Sequence, residues 1–231
     1  MKNPFKGLTR FEICLWIFSL LAVTVASVLA PEIDIISLIS SLIGVTSLIF
    51  IARGNVFGHV LMLFFGTFYA VISYSAQYYG EMITYLGMTV PMSLFTIISW
   101  LRHPNGDTGE VKVSRLTRKT LVYTLILTLF VTVCFYFILG ALGNESLIVS
   151  TVSVLTSFFA ASLIFLRSPY YALGYALNDV VLIILWIIAA SYQTGAYSVV
   201  ACFSVFLIND LYGFVSWRRM EKRQKAEIST T

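Results

Sequence analysis

The sequence predicts an all-α, polytopic membrane protein of eight transmembrane helices, arranged as a 3+1+3 parallel-repeat core with one extra N-terminal helix. Three observations lead to this class. The 231 residues are 58% hydrophobic and only 11% charged, with a mean hydropathy of +0.88, whereas soluble domains carry about 25% charged residues. Eight apolar runs are each long enough to span a bilayer as a helix. Short motifs also recur at a common spacing, which indicates a duplication.

The apolar runs give the elements in chain order. They occupy 12–30, 34–52, 55–76, 80–101, 119–140, 146–166, 169–191 and 196–217. Their continuity excludes the alternating pattern of a membrane β-barrel, and inside lipid only helices and barrels satisfy the backbone. We therefore expect a single transmembrane domain over 1–231. It consists of the extra helix 12–30, a first triple-helix repeat 34–101, a linker helix 119–140 and a second triple-helix repeat 146–217.

The first run also has features of a signal peptide, because Lys2, Lys6 and Arg10 precede it and small residues end it near Ala30. An uncleaved helix is the favoured interpretation, since the apolar run exceeds the roughly 7–15 residues of a signal core. Pro31 would moreover follow the cleavage point, where proline is poorly suited. Cleavage stays an open alternative, and it would leave the other seven helices unchanged.

Charge predicts the orientation. With the N-terminus inside, the inner segments hold all 15 Lys and Arg residues of the chain, namely Lys2, Lys6, Arg10, Arg53, Arg102, Lys112, Arg115, Arg118, Lys119, Arg167, Arg218, Arg219, Lys222, Arg223 and Lys225. The outer turns hold Glu32, Asp34, Glu81 and Glu145 and no basic residue. This positive-inside pattern predicts a multi-pass protein of the cytoplasmic membrane with both termini in the cytoplasm. It also explains the net charge of +4 without nucleic acid as a partner.

An internal repeat is the second organising feature. The tetrapeptide at 47–50 recurs at 162–165, and Ile98-Ser99-Trp100 is echoed by Val215-Ser216-Trp217, with an offset near 115 residues. Two three-helix units joined directly would be inverted, and the linker helix 119–140 restores the same orientation. The two units should therefore be related by an axis along the membrane normal. Carriers often bind their substrate at such a repeat interface.

Two Asn-Asp pairs, Asn178-Asp179 and Asn209-Asp210, interrupt the last two apolar runs. At about 1.5 Å rise per residue, both lie about 12–15 Å from the same membrane face. The hydrocarbon core is roughly 30 Å thick, so both pairs lie near mid-depth, where polar groups are costly and usually functional. No Lys or Arg is available at that depth, so each Asp is protonated, exposed to water or facing a cationic ligand. The sequence leaves these three alternatives open.

Helical periodicity places these residues among aromatic side chains. The candidate substrate-binding residues are Tyr175, Asn178, Asp179 and Trp186 in the seventh run, Asn209, Asp210 and Tyr212 in the eighth, and Gln77 in the first repeat. Amides read the edge of a flat polar ligand, and rings stack on its face. The competing interpretation is polar contact between helices, worth about 0.6–2 kcal/mol each.

The first repeat offers weaker candidates. Gln77, Glu81, Thr84 and Tyr85 lie near the outer surface, where a solvated turn is the favoured interpretation. His59 lies near the inner end of its run, and a lone histidine there is more often interfacial than a ligand. Pro91 should kink the fourth helix, because proline removes one helix hydrogen bond; a static kink is favoured over a hinge.

The sequence does not indicate an enzyme. It contains no nucleophile–base pair, no metal-ligand cluster and no Gly-rich phosphate loop, and Cys14, Cys134 and Cys202 are isolated within apolar runs. We therefore expect no cofactor and no metal. The remaining classes are a carrier of small molecules and a substrate-binding subunit of a larger transporter.

The chain resembles the PnuC-type nicotinamide riboside transporters over roughly 34–217. The resemblance rests on the triplet–linker–triplet plan, on Gly58 to Gly66, on Asn178 and Asn209-Asp210, and on the stretch YGEMITYLGM at 79–88. In that family a Trp that stacks on the substrate base precedes an Asn by four residues. This chain keeps Asn178 and has Gly174 at the Trp position. Tyr171, Tyr175 and Trp186 are the aromatic residues that would take its place.

The resemblance implies facilitated diffusion of nicotinamide riboside or a similar unphosphorylated vitamin precursor, trapped inside by a cytoplasmic kinase. The other partners of the protein would be the lipid bilayer and the small-molecule substrate. Whether the chain forms a homo-oligomer is left open. Related members are thought to carry thiamine, riboflavin or deoxynucleosides, and small sugar carriers share the plan. These substrates are the alternatives that the sequence does not separate.

Overall fold

The computed structural model describes residues 5, 7–30, 35–75, 79–106, 108–144, 146–190 and 196–229. Its helices are α1 Arg10–Val28, α2 Ile35–Ala52, α3 Val56–Ser75, α4 Tyr79–Leu101, α5 Arg118–Ala141, α6 Leu147–Phe165, α7 Tyr171–Ala189 and α8 Ala196–Ser229. All 8 are long and apolar enough to cross a membrane. The predicted class, an all-α protein with eight spanning helices, is confirmed.

Six of these helices form a closed ring. Helix α2 packs on α3, α3 on α4, α4 on α6, α6 on α7, α7 on α8, and α8 returns to α2. We call α2–α4 the first half and α6–α8 the second half. Helix α1 lies outside the ring against α2 and α8, and α5 lies outside against α6. The outer position of α5 agrees with its apolar side chains, of which Phe130 and Phe137 are exposed and suited to lipid.

Small residues allow the ring helices to approach closely. A Cβ placed on Gly174 of α7 would lie 2.9 Å from the Cβ of Ala160 in α6. In the same way, a Cβ on Gly44 of α2 would lie 2.5 Å from the ring of Phe206 in α8. Because lipid tails solvate apolar side chains well, close packing of small residues is a main source of helix association in a membrane.

The two halves meet through a reciprocal pair of hydrogen bonds at one end of the bundle. The indole Nε1 of Trp100, in the first half, donates to the carbonyl of Ile164 at 3.2 Å. Trp217, in the second half, donates to the carbonyl of Ile51 at 2.9 Å. The two indole rings lie 5.4 Å apart. Each half therefore caps a buried carbonyl of the other.

The same end carries two matching turns. The turn after α2 has Gly54 at φ 66°, and the turn after α6 has Arg167 at φ 60°. In the first turn the N–H of Asn55 donates to the carbonyl of Phe50 at 3.0 Å, and in the second that of Ser168 donates to Leu163 at 2.9 Å. We call this end of the bundle, with its turns, the loop 102–117 and the chain after 217, the basic end.

Helix α8 corrects one predicted boundary. The sequence placed its end near Trp217, whereas the helix continues to Ser229. Beyond Trp217 the chain is charged and rich in helix formers, and ion pairs join Glu221 to Arg218 three residues before it and to Lys225 four residues after it. Such pairs support a helix that is no longer embedded in lipid.

Helix α4 is interrupted where Pro91 was expected to kink it. Residues Tyr85–Thr89 form a π-helical turn, in which the N–H of Val90 donates to the carbonyl of Tyr85. Pro91 has no N–H to offer the carbonyl four residues earlier, so a regular α-helical bond is missing here. Insertion of one extra residue into the turn accommodates that loss and rotates the preceding side chains.

Candidate functional site

A cavity lies at the centre of the six-helix ring, and every ring helix contributes to it. Its volume is about 60 Å³, enough for a few water molecules by the usual requirement of about 10–15 Å³ each. The lining consists of Leu48, Ile51, His59, Met62, Phe65, Thr84, Tyr85, Thr89, Ser153, Ser157, Tyr171, Tyr175, Asn178, Asp179, Leu182, Phe203, Phe206 and Asp210. The cavity thus lies between the two halves.

Asn178 reaches the cavity from α7 in a fixed orientation. Its Oδ1 accepts a hydrogen bond of 2.9 Å from the hydroxyl of Thr156 and a longer one of 3.4 Å from Ser153, both on α6. None of the hydrogen bonds among the described residues uses its Nδ2. The two hydroxyls therefore hold the amide while its N–H₂ group stays available to a ligand that carries an oxygen or ring-nitrogen acceptor.

Two carboxyl groups face each other across the same cavity. Asp179 of α7 and Asp210 of α8 both line the cavity, interact electrostatically with each other and are buried. Within the described chain no donor reaches Oδ2 of Asp179, and no Lys or Arg lines the cavity. Two carboxylates so close repel each other, so the pair needs a shared proton or a bound cation.

Aromatic rings close the cavity on both sides. Toward the basic end, Trp217 packs edge-on against Tyr171 with ring centroids 5.0 Å apart, and His59 packs edge-on against Trp100 at 4.6 Å. Toward the other end, the ring of Tyr85 lies 4.2 Å from that of Tyr69. Buried aromatic pairs therefore border the central cavity toward both ends of the bundle.

The π-helical turn of α4 positions one wall. Thr84 directly precedes the turn and Thr89 ends it, and both line the cavity with Tyr85. The sequence analysis favoured a solvated turn for this region, but Glu81, Thr84 and Tyr85 are all buried. One signal in the sequence was Pro91, which removes a helix hydrogen bond that either a smooth kink or a π-turn can accommodate; π-turns often lie at functional sites.

Four of the predicted site residues come together in the cavity lining. They are Asn178, Asp179, Asp210 and Tyr175. The sequence gives no signal for the hydroxyls that orient Asn178, because Ser and Thr are frequent throughout the chain. His59 was expected at the membrane interface, whereas its side chain is 3% exposed and lines the cavity.

Other predicted residues lie elsewhere. Asn209 turns toward α1, where its Nδ2 donates to the hydroxyl of Ser19 at 2.9 Å and to the carbonyl of Val205. Tyr212 also faces α1 and donates from its hydroxyl to Glu12 at 3.0 Å. The structure therefore separates the two amides, Asn178 and Asn209, that the sequence analysis placed around one ligand.

Two further candidates differ from expectation in other ways. Trp186 does not line the cavity; its ring packs edge-on against Tyr69, with centroids 6.3 Å apart, in the aromatic cluster beyond Tyr85. Gln77 lies outside the described residues. Gly174, at the position of the family's tryptophan, faces Ala160 of α6 rather than the cavity, so a large side chain has no room there.

The site has no donor set typical of a metal. In the part of the chain that the structure describes, no group of three His, Cys, Asp or Glu side chains could hold an ion. The arrangement instead provides an amide donor, a pair of acids and aromatic walls, which suits an organic cation.

The chain matches the family described as nicotinamide mononucleotide transporter over residues 34–219. Two relatives are named nicotinamide riboside transporter PnuC. That of Neisseria mucosa is 26% identical over 234 residues, 98% of this chain and 88% of the relative. That of Haemophilus influenzae is 26% identical over 226 residues, 96% of each chain. A solved structure, described as the crystal structure of the vitamin B3 transporter PnuC, has a TM-score of 0.83 at 25% identity and covers 95% of both chains.

Proposed function

The chain belongs to the nicotinamide mononucleotide transporter family, and on that basis we propose that it takes up nicotinamide riboside or a similar unphosphorylated vitamin precursor. It is therefore a multi-pass membrane transporter and not an enzyme, in agreement with the resemblance seen in its sequence. The substrate is a proposal drawn from the names of its relatives and from the chemistry of the central cavity.

The observation that carries this proposal is the carboxyl pair Asp179 and Asp210 on the cavity wall. Nicotinamide riboside carries a permanent positive charge on its pyridinium ring, and a cation between two acids relieves their repulsion. Because no Lys or Arg lines the described cavity, a phosphate group would find no permanent counter-charge there. This supports the nucleoside over its phosphorylated form.

The other lining residues receive roles from their contacts. Asn178 offers its Nδ2 to the ligand's carboxamide or ribose oxygens, since Thr156 already occupies its oxygen. Tyr175 and Tyr85 stack on the pyridinium ring in place of the family's tryptophan. Trp186 acts through Tyr69, with which it closes the end opposite the basic end.

Two residues act from outside the cavity. Asn209 and Tyr212 fasten α1 to α8 through Ser19 and Glu12 and so hold the second half in position. They are positioning residues in this proposal. Gln77 keeps its candidate role as a ligand of the substrate on the outer side.

Transport proceeds by facilitated diffusion in this proposal, with a cytoplasmic kinase that traps the product. The basic end faces the cytoplasm in this proposal, because its two turns, the loop 102–117 and the chain after 217 hold 10 of the 15 Lys and Arg residues of the sequence. Both termini are then cytoplasmic. The reciprocal Trp100 and Trp217 bonds support a two-fold relation between the halves, which move against each other during transport.

A second candidate substrate is thiamine. Its thiazolium ring is also a permanent aromatic cation, so the same carboxyl pair favours it over neutral riboflavin, deoxynucleosides or sugars. The absence of the family's tryptophan at Gly174 leaves the stacking surface of this chain different from that of its relatives, which is the specific reason to retain this alternative.

The test uses the purified chain in liposomes, with no ion gradient, and two ligands of nearly equal shape. Nicotinamide riboside is a cation, whereas its reduced dihydropyridine form is neutral. We expect uptake and thermal stabilisation by the cation only, and expect Asp210→Asn to reduce its uptake at least tenfold. Equal uptake of both forms would remove the carboxyl pair from the proposal, and selective stabilisation by thiamine would change the substrate. Failure of the purified chain to transport would favour a subunit of a larger transporter.

A further inference from the structure

The loop between α4 and α5 crosses the basic end and touches both halves. The N–H of Val111 donates to the carbonyl of Gly54, in the turn after α2, at 2.9 Å. The N–H of Ser114 donates to the carbonyl of Arg167, in the turn after α6, at 3.0 Å. The loop therefore bridges the two matching turns, and its own Val111 is buried, with 1% of the residue exposed.

The extension of α8 holds this loop in place. The side chain of Gln224 accepts a hydrogen bond of 2.8 Å from the N–H of Val113 and donates one of 3.0 Å to the carbonyl of Val111. An ion pair joins Arg223 to Glu110. The loop 102–117 and the helix after 217 thus form one folded unit, which we call the basic-end cap.

A second pocket opens within the basic-end cap, away from the central cavity. Its volume is about 390 Å³. The lining consists of Asn105, Lys112, Val113, Arg115, Glu221, Gln224, Lys225 and Glu227. The pocket is therefore polar and walled by both the loop and the α8 extension.

The cations of this pocket are incompletely paired. Glu221 is occupied by Arg218, at 2.6 Å, and by Lys225. Arg115 approaches it only to 3.8 Å, with 75% of its own side chain exposed. Across the described chain, Arg115 makes no side-chain hydrogen bond and Lys112 makes no ion pair. Two positive side chains on the loop wall therefore lack a strong partner inside a concave pocket.

We propose that this pocket is a binding site for a phosphate-bearing anion. An Arg guanidinium binds phosphate through two parallel hydrogen bonds, and a Lys ammonium adds a point charge. Lys112 and Arg115 supply these groups from the loop, and Lys225 supplies a third cation from α8. The ligand is either a soluble phosphate compound or the headgroup of an anionic lipid, since both present the same chemistry at this end of the bundle.

A bound phosphate would join the loop to the α8 extension. It would accept hydrogen bonds from Lys112 and Arg115. It would also contact Lys225, which already forms an ion pair with Glu221. Because the loop already bridges the turns at Gly54 and Arg167, such a ligand stabilises the closed basic end. This site is independent of the proposed substrate, because none of its lining residues lies in the central cavity.

The test compares the full chain with a double variant, Lys112→Ala with Arg115→Ala. The matched control is Arg102→Ala with Lys119→Ala, which removes the same charge from the same end outside the pocket. All four side chains are exposed, so both variants should fold. The soluble probe is pyrophosphate, measured by calorimetry and thermal unfolding at constant ionic strength. The lipid probe is phosphatidylglycerol against phosphatidylcholine in nanodiscs.

We expect the wild type and the control to bind one probe, and the pocket variant to bind it at least about tenfold more weakly, as loss of charge-assisted hydrogen bonds implies. Binding of pyrophosphate identifies a soluble ligand, and binding of phosphatidylglycerol alone identifies a lipid headgroup. Equal weakening in both variants would show a non-specific charge effect and overturn the proposal. The absence of binding by either probe would overturn it as well.

Discussion

At the residue scale, the two asparagines of the Asn-Asp pairs have different surroundings. Asn178 lines the cavity, and no hydrogen bond among the described residues uses its Nδ2. The Nδ2 of Asn209, in contrast, donates to both Ser19 and Val205. Their roles should therefore separate cleanly. An amide that faces the ligand contributes to affinity, and an amide that joins two helices contributes to stability.

Replacement of each asparagine by alanine tests this difference. Asn178→Ala should weaken substrate binding roughly tenfold, because one hydrogen bond to a ligand is worth about 1 kcal/mol or more, with little change in melting temperature. Asn209→Ala should lower the stability by about 1–2 kcal/mol and leave affinity nearly unchanged. Calorimetry and thermal unfolding measure the two quantities. An equal loss of affinity in both variants would contradict the assignment.

The sequence could predict that these residues lie at the same level of the bundle but not which way their side chains face. Helical rise places both Asn-Asp pairs at the same level, and Asp179 and Asp210 do meet there. Asn209, however, lies on a helix with polar neighbours on two sides, the cavity and α1. Which side an amide faces depends on the rotation of α8, and that rotation is set by packing against Ser19 and Phe65 rather than by local periodicity.

Gly174 provides a second prediction at this scale. A Cβ at this position would lie 2.9 Å from that of Ala160, closer than packed atoms tolerate. Gly174→Ala should therefore destabilise the protein by about 1–3 kcal/mol, the usual cost of overpacking. Combination with Ala160→Gly should recover part of that loss, because one of the two clashing groups is removed. Thermal unfolding of both variants measures this, and a fully tolerated Gly174→Trp would disprove the close approach of α6 and α7.

At the element scale, the sequence could predict eight spans because each apolar run is long and contains at most one charged residue. It could not predict the π-helical turn at Tyr85–Thr89, because Pro91 is equally compatible with a smooth kink. Nor could it predict that α8 continues to Ser229. That extension depends on ion pairs and on Gln224 contacting the distant loop, and apolar length carries no information about such contacts.

The π-helical turn makes a prediction of its own. Pro91→Ala restores the N–H that a regular α-helix would donate to the carbonyl of Gly87. Removal of the extra residue from the turn would rotate Tyr85 by about 100° away from the cavity. We expect weaker substrate binding with equal or higher stability. Unchanged affinity in a folded variant would show that the turn does not depend on Pro91.

At the scale of the whole molecule, the six-helix ring places the cavity between its two halves and closes it by aromatic contacts. The sequence repeat predicted an interface of this kind, and the reciprocal bonds of Trp100 and Trp217 are consistent with it. The repeat could not predict which polar residues line the cavity, because the halves contribute different chemistry. Phe65 and Tyr85 come from the first half, and the acids and the amide come from the second.

Because the two bonds are reciprocal, removal of either one should have the same effect on stability and on opening of the basic end. Trp100→Phe and Trp217→Phe each delete one indole N–H and leave a buried carbonyl, of Ile164 or Ile51, without its donor. Each should cost about 1–2 kcal/mol. Because each bond joins the halves at the basic end, each loss should also make that end open more readily. We expect the rates at which the basic end opens in the two variants to agree within about a factor of two.

Opening can be followed by a thiol reagent that cannot cross the membrane. A cysteine replaces Ser157 on the cavity wall, in a background from which Cys14, Cys134 and Cys202 have been removed. Labelling from the basic end should accelerate in both tryptophan variants. Trp16→Phe is the matched control, because its indole donates to Thr46 between α1 and α2 and not between the halves; it should lower stability without faster labelling. Faster labelling in only one of the two variants would show that the bonds are not equivalent. It would contradict a two-fold relation between the halves at the basic end.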